Sequence, residues 1–320
     1  MILAGDVGAT KILLEVGESR SGHWEPQFSR RYPTEGPANF SAVLERFLKE
    51  WDGAKIPGQR IGAAGIGVAG PALGNRVKMT NRPWLVDGDA IAGRFPFTSA
   101  RVVNDLVAAA HGIAWLGPRE LASIQPGRGV AGDPRVVLGV GTGLGVAYLV
   151  CIDDRLHEVA GEGGHAGFAP ATQEQARLWQ WIFASQGRVS AEAVLSGHGL
   201  ARVHAFVTGA DPHEPGFLQP EKISEMAAAG DAHAVRAMEF FFECLGTVAG
   251  DHALSAMARG GVYLMGGIVA KNLAPLQSSR FREAFCAKAP LSALLMRLPV
   301  RAVTSERIVL LGAARLALDA

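Results

Sequence analysis

A chain of 320 residues with 48% hydrophobic and 19% charged side chains is long enough for about two ordinary domains, and it can bury a large core without disulfide or metal staples. Lys and Arg number 31 against 30 Asp and Glu, and the resulting net charge of +1 gives no global field for attracting nucleic acid or an anionic membrane surface. Three scattered cysteines, Cys151, Cys244 and Cys286, argue against a disulfide framework and a Cys-rich zinc site and fit a reducing cytoplasm.

The first residues, Met1 to Asp6, carry no basic leader, so a signal peptide is not expected. The longest uncharged run, between Arg135 and Asp153, is interrupted by Gly139, Gly141, Gly143 and Gly145. It is short for a membrane helix and reads as a buried hairpin. Glycine is the anomaly, at 40 of 320 residues against roughly 7% on average. The fold must need backbone without side chains.

In chain order, Ile2 to Gly5, the turn Asp6-Val7-Gly8-Ala9-Thr10, and Ile12 to Val16 read as strand, tight turn and strand. Phe40, Val43, Leu44, Phe47, Leu48 and Trp51 then recur at helical spacing. Ile61 to Val68 is a small-residue strand, and Arg101 to Val103 is another that stops at Asn104-Asp105, followed by a helical stretch from Leu106 to Leu116. Val136 to Val150 repeats the opening pattern, with Gly139-Val140-Gly141-Thr142-Gly143 lying 133 residues after Asp6-Val7-Gly8-Ala9-Thr10. Such a repeat predicts a duplicated architecture of two α/β units facing each other. A long helix over Val235 to Met257, a buried strand Val262 to Met265 ending in Gly266-Gly267, and a closing helix Ile308 to Leu318 complete the chain.

Phosphate-binding turns need backbone N–H groups aimed at the anion and no Cβ in its way. Gly8, Gly141 and Gly143 meet the second need, Thr10 and Thr142 add hydroxyl donors, and Asp6 could hold a magnesium ion through water. Either turn alone is more simply a plain hairpin; two in register favour a pair of clamps on one nucleotide, with Gly266-Gly267 close to its nucleoside. The segment Gly5 to Lys11 lacks the second glycine of a P-loop, and Gly141-Thr142-Gly143-Leu144-Gly145 has the wrong spacing for a dinucleotide fingerprint.

Asn104-Asp105 falls where a strand gives way to a helix, a usual ligand position in α/β sheets, and helix capping is the competing explanation. In Glu162-Gly163-Gly164-His165 two glycines would let a carboxylate and an imidazole approach one small molecule. Glu192 opens a helix, where compensation of the helix dipole is the alternative role. Asn104, Asp105, Glu162, His165 and Glu192 together suit the hydroxyls of a sugar. No His-Glu-x-x-His, Cys-x-x-Cys or Gly-x-Ser-x-Gly occurs, so zinc hydrolysis and serine-nucleophile chemistry have no local signature.

Gly5 to Thr10, Val103 to Leu106, Gly141 to Gly145, Gly161 to His165, Val189 to Glu192, Leu195-Ser196-Gly197 and Leu311 to Arg315, taken in that order, resemble the bacterial glucokinase family of the hexokinase/actin-like ATPase superfamily, in the branch distinct from ROK sugar kinases. The resemblance implies two actin-like (ribonuclease H-like) α/β domains around a central cleft, with residues 1–105 and 307–320 in the small domain and 106–306 in the large one. It implies a cytoplasmic homodimer that phosphorylates glucose with ATP and Mg²⁺ and has no nucleic-acid or membrane partner. By the same resemblance Asp105 is the general base, and Asn104, Asp105, Glu162, His165 and Glu192 bind the sugar. Gly5, Asp6, Val7, Gly8, Ala9, Thr10, Gly141, Thr142, Gly143, Gly266 and Gly267 bind the nucleotide. Thr80-Asn81 with Trp84 resembles a family stretch near the cleft.

Three departures bear on this expectation. Ala9 stands where many members have glycine, Lys11 where the enterobacterial type has asparagine, and Gly167 where an acidic residue is common; the first two bear on donor affinity. The Cys-rich zinc motif of the ROK kinases is absent, and because the first hairpin begins at residue 2 the N-terminal DNA-binding module of ROK repressors is not expected. A kinase for mannose, fructose or an amino sugar, a non-catalytic sugar sensor and an assembly ATPase are the rival expectations.

Overall fold

In the computed structural model, which describes residues 1–20, 22–153, 155–159, 161–214 and 216–319, Ile2–Val7 (β1) leads through a short turn into Lys11–Arg20 (β2) and then His23–Pro33 (β3). Burial along β1 is nearly continuous, as its apolar run requires of a strand covered on both faces. Ala63–Val68 (β4) lies parallel to β1 on its other side. A small antiparallel sheet of Ala72–Leu73 (β5), Arg76–Lys78 (β6) and Leu85–Asp87 (β7) follows, and Ser99–Asn104 (β8) then pairs parallel with β4. The main sheet runs β3-β2-β1-β4-β8.

The helix Phe40–Asp52 buries Phe40, Val43, Leu44, Phe47 and Trp51, the apolar stripe seen in the sequence. Asn39 caps it by accepting the Ala42 N–H. The helices Asp105–Gly112 and Ile308–Leu318 pack with their backbones nearly touching. A Cβ on Gly312 would lie 1.5 Å from the Ala108 carbonyl oxygen, and one on Gly65 would lie 1.9 Å from that of Ala313. Much of the glycine excess is therefore spent on helix and sheet contact. These elements form one unit, Met1–Gly117 with Ser305–Ala320, and Pro118–Thr304 forms a second.

In the second unit Leu121–Gln125 (β9) precedes the hairpin Arg135–Val140 (β10) and Leu144–Ile152 (β11). Arg155–Val159 (β12), Gly261–Met265 (β13) and Val300–Val303 (β14) complete a sheet ordered β12-β11-β10-β13-β14-β9. β11 and β12 are antiparallel additions on one side of β10, while β13 and β14 are parallel on the other. The first sheet has the same plan around β1, so the duplication expected from the two Gly/Thr turns is present in the strand order itself. β9 is an extra antiparallel edge. The apolar stretch near residue 240 is the helix Ala232–Ser255, with Phe240, Phe241, Phe242 and Leu245 fully buried. Among the described residues no helix is long and apolar enough to cross a membrane.

Candidate active site

Val7 pairs with Ile12 and Val140 with Leu144, so the first turn holds Gly8 to Lys11 and the second only Gly141 to Gly143. The extra residue means that the two threonines correspond when counted back from the return strand: Thr10 and Thr142 each precede the first paired residue by two. The first turn is closed by Gly8 N–H donating to the Lys11 carbonyl at 3.0 Å, and the second by Gly141 N–H donating to that of Gly143 at 2.9 Å. Thr34, which sequence reading passed over, holds the first turn through its hydroxyl on the Gly8 carbonyl at 3.2 Å and its N–H on the Thr10 carbonyl at 3.1 Å.

Asp6 and Asp105 share the end of the first sheet. Burial pushes the Asp6 carboxyl up to about 6, helped by the charge of Asp105 and resisted by Lys11 and Arg31. Burial also raises Asp105, against the opposing pull of hydrogen bonds from the Leu106 N–H, its own backbone N–H and the Asn104 amide. Its Oδ1 accepts the Leu106 N–H at 2.8 Å.

Asn104 is both anchor and cap. Its Oδ1 accepts from Leu106 N–H at 2.9 Å and Val107 N–H at 3.3 Å, and its Nδ2 donates to the Gly70 carbonyl at 3.0 Å. The capping role anticipated as an alternative is thus present and fixes the peptide that carries Asp105. Trp84 is buried in the apolar core of this unit, and Thr80 and Asn81 are exposed.

The other polar residues belong to the second unit. Glu162 precedes a single helical turn, Gly163–His165, and bridges to Val146 of β11. The glycines of this turn have a packing role that the sequence did not show: a Cβ on Gly164 would lie 1.8 Å from the Leu144 carbonyl oxygen, and one on Gly163 would lie 2.9 Å from Val146 Cβ. They let the turn lie flat against β11 and so place Glu162 and His165 beside the glycine hairpin. Behind it, the Tyr148 hydroxyl meets His252 Nδ1 at 2.7 Å.

Glu192 does more than favour a helix dipole. Ser190 caps the short helix Ala191–Val194, and Glu192 Oε2 accepts the Leu144 N–H at 2.9 Å. Its Oε1 faces His165 Nδ1 at 3.9 Å. Glu162, His165, Glu192 and the Gly141 to Gly143 turn are therefore drawn together in one unit, while Asn104, Asp105, Asp6 and the first turn gather in the other.

A cavity of about 620 Å³ adjoins the second turn, with Gly141, Thr142, His198, Phe217, Gly267 and Lys271 on its walls. Its size is ordinary for a small-molecule site. The helix Gly197–Val207 starts there, capped by Ser196 and tied to the turn by Gly197 N–H on the Gly141 carbonyl at 2.8 Å, so a helix N-terminus stands beside the hairpin. Gly266 and Gly267 separate in role. Gly266 has φ 101° and a Cβ there would be 2.3 Å from the Val140 carbonyl oxygen, whereas nothing lies within 4 Å of one at Gly267. The Phe217 to Glu225 wall was missed in the sequence, where only Pro220 at the start of a helix marks it.

The family model for glucokinase matches residues 3–320. The chain belongs to the glucokinase family. A glucokinase of Mesorhizobium japonicum is 37% identical over 98% of this chain and 90% of its own length. Among solved structures, a glucokinase from an Antarctic psychrotroph is 28% identical with a TM-score of 0.88, covering 100% of this chain and 99% of that one. A ROK family glucokinase from Streptomyces griseus, in complex with glucose and AMPPNP, shares the fold at a TM-score of 0.63 and 22% identity, covering 100% of this chain and 99% of that one. This glucokinase-family chain thus has the two-domain actin-like α/β fold of sugar kinases and is an ATP-dependent phosphotransferase acting on glucose.

Proposed function

We propose that Asp105 is the general base of glucose phosphorylation in a member of the non-ROK branch. In this proposal the first unit, Met1–Gly117 with Ser305–Ala320, carries the base, and the second, Pro118–Thr304, carries Glu162, His165 and Glu192. The carboxyl pair Asp6 and Asp105 is the observation that carries it: two acids set at one sheet end, in surroundings that raise both, suit a base and a water-mediated metal contact. Phosphoryl transfer asks the protein for alignment and charge neutralisation more than covalent help.

Asn104 fixes the Asp105 peptide, and Asp105 accepts the proton of the glucose 6-hydroxyl as that oxygen attacks the γ-phosphorus of ATP, the bond to the β,γ-bridging oxygen breaks and ADP leaves. Glu162, His165 and Glu192, with Asn104, hold the other hydroxyls. Gly8 and Gly141 use their N–H groups inside their own turns, so in this reading the phosphates rest on the following amides of Ala9, Thr10, Thr142 and Gly143. Gly5 and Val7 carry the first turn on β1. Gly267, open to the cavity, admits the nucleoside.

Mg²⁺ fits as an ion carried on the phosphates. Among the described residues no group of three or more His, Cys, Asp or Glu is placed to hold a metal, and Asp6 offers one carboxylate to its water shell, the usual way such an ion meets a kinase. When bound it supplies neutralisation of phosphate charge. We further propose a cytoplasmic homodimer. A coupled assay for glucose-6-phosphate with ATP and Mg²⁺, repeated with mannose, fructose and glucosamine, tests the function; no sugar phosphate from any of them overturns it.

A further inference from the structure

The backbone that carries Glu192 is fixed independently of its side chain. Ala191 N–H donates to the Ala166 carbonyl at 2.8 Å, Phe168 N–H donates to that of Val189 at 3.0 Å, and Gly167 bridges Ser190. This short ladder ties the segment to the residues just after His165. The side chain then reaches across to the glycine hairpin. One oxygen accepts from Leu144, the first paired residue of the return strand, and a Cβ on Gly143 would lie only 2.5 Å from that oxygen. The other oxygen points toward His165 at 3.9 Å, beyond hydrogen-bond range.

We propose that Glu192 couples the sugar site to the phosphate hairpin, so that either substrate prepares the protein for the other. The proposal rests on the sugar-binding role of Glu192 given above and adds a positioning role toward the nucleotide. A carboxylate has about four acceptor positions, so a sugar hydroxyl can bind the second oxygen while the first keeps the Leu144 N–H. Doing so fixes the side-chain torsions, and the hairpin attached at Leu144 is steadied with them. Phosphates resting on the hairpin steady Glu192 in return. Linkage makes the effect equal in both directions.

The test is equilibrium binding of glucose and of AMPPNP with Mg²⁺, each alone and in the presence of the other, to the full chain and three variants. In the parent chain glucose tightens AMPPNP binding about fivefold or more, a usual size for such coupling. Glu192→Ala loses that dependence and binds AMPPNP several-fold more weakly even without sugar. Glu192→Gln, which keeps an oxygen for the Leu144 N–H, recovers AMPPNP affinity in the absence of sugar but stays weak for glucose. Gly143→Ala, a change in the phosphate hairpin, weakens glucose binding about fivefold or more with no nucleotide present. Because the added methyl presses on the Glu192 oxygen that holds Leu144, that loss reports the contact between hairpin and sugar ligand, and the coupling itself is read from the two Glu192 variants.

AMPPNP binding to Glu192→Ala equal to the parent without sugar, or glucose binding to Gly143→Ala equal to the parent without nucleotide, overturns the coupling. Should Glu192→Ala fail to fold, Glu192→Gln and Gly143→Ala decide it. A parent chain that makes no sugar phosphate overturns the functional proposal instead, and that result is separable because it is read in the kinase assay.

Discussion

The charge of Asp105 opposes the ionisation of Asp6 at the end of the first sheet, where burial first and that charge second hold the Asp6 carboxyl at about 6. In an unfolded chain Asp6 would titrate near 3.8. Between these values the native protein binds the proton that the unfolded chain releases, so the contribution of this group to stability falls as pH rises and is lowest above 6. Asp6→Asn should therefore raise the melting temperature of the metal-free protein at pH 7.5 by about 2 °C or more, and the gain should vanish at pH 4. Calorimetry at the two pH values checks this; an equal gain at both would mean the charge is not the cause.

Asp105→Asn keeps the size of the side chain and removes its ability to take a proton. The expected result is a kcat lower by roughly 10² or more with the KM for glucose within about tenfold of the parent. In the parent enzyme the acid limb of kcat/KM should lie above the ordinary carboxylate range, because burial raises Asp105. Near-full turnover in the variant would remove Asp105 from the role of base.

Gly266 and Gly267 are neighbours with opposite expected responses. Gly266→Ala forces an L side chain into φ 101° and against the Val140 carbonyl, so it should destabilise the chain by about 1–3 kcal/mol in urea unfolding. Gly267→Ala meets open space in the protein; it should leave unfolding unchanged and raise the KM for ATP. Equal effects on stability from both would contradict the cavity assignment.

Gly164→Ala should act on the sugar without touching it. The added methyl meets the Leu144 carbonyl and lifts the Glu162 to His165 turn from β11, so the KM for glucose should rise about tenfold or more. Steady-state kinetics checks this, and an unchanged KM would show that the turn does not position the sugar ligands.

Wherever local spacing decides structure, the sequence was readable. The helix at Phe40, the two glycine hairpins and the closing helix at Ile308 follow from apolar period and turn chemistry, and Asn104-Asp105 does stand at a strand-to-helix junction. Tertiary contact decided the rest. Nothing near Glu192 in the chain announces Leu144, 48 positions away, and the glycines at 163 and 164 looked like room for a ligand until β11 was seen pressed against them. The strands between Ala72 and Asp87 are too short for a periodicity signal, and the Phe217 to Glu225 wall has no motif.

The first unit is assembled from both ends of the polypeptide, with the helix Ile308–Leu318 packed on the sheet that begins at Ile2. During synthesis that sheet must wait, its helix-facing side uncovered, until Ile308–Leu318 leaves the ribosome, while the second unit already has its whole sequence available. Maturation of the proposed base is thereby tied to the emergence of this helix: a chain that stops before Ile308 would hold every side chain proposed for catalysis and no settled platform for Asp105.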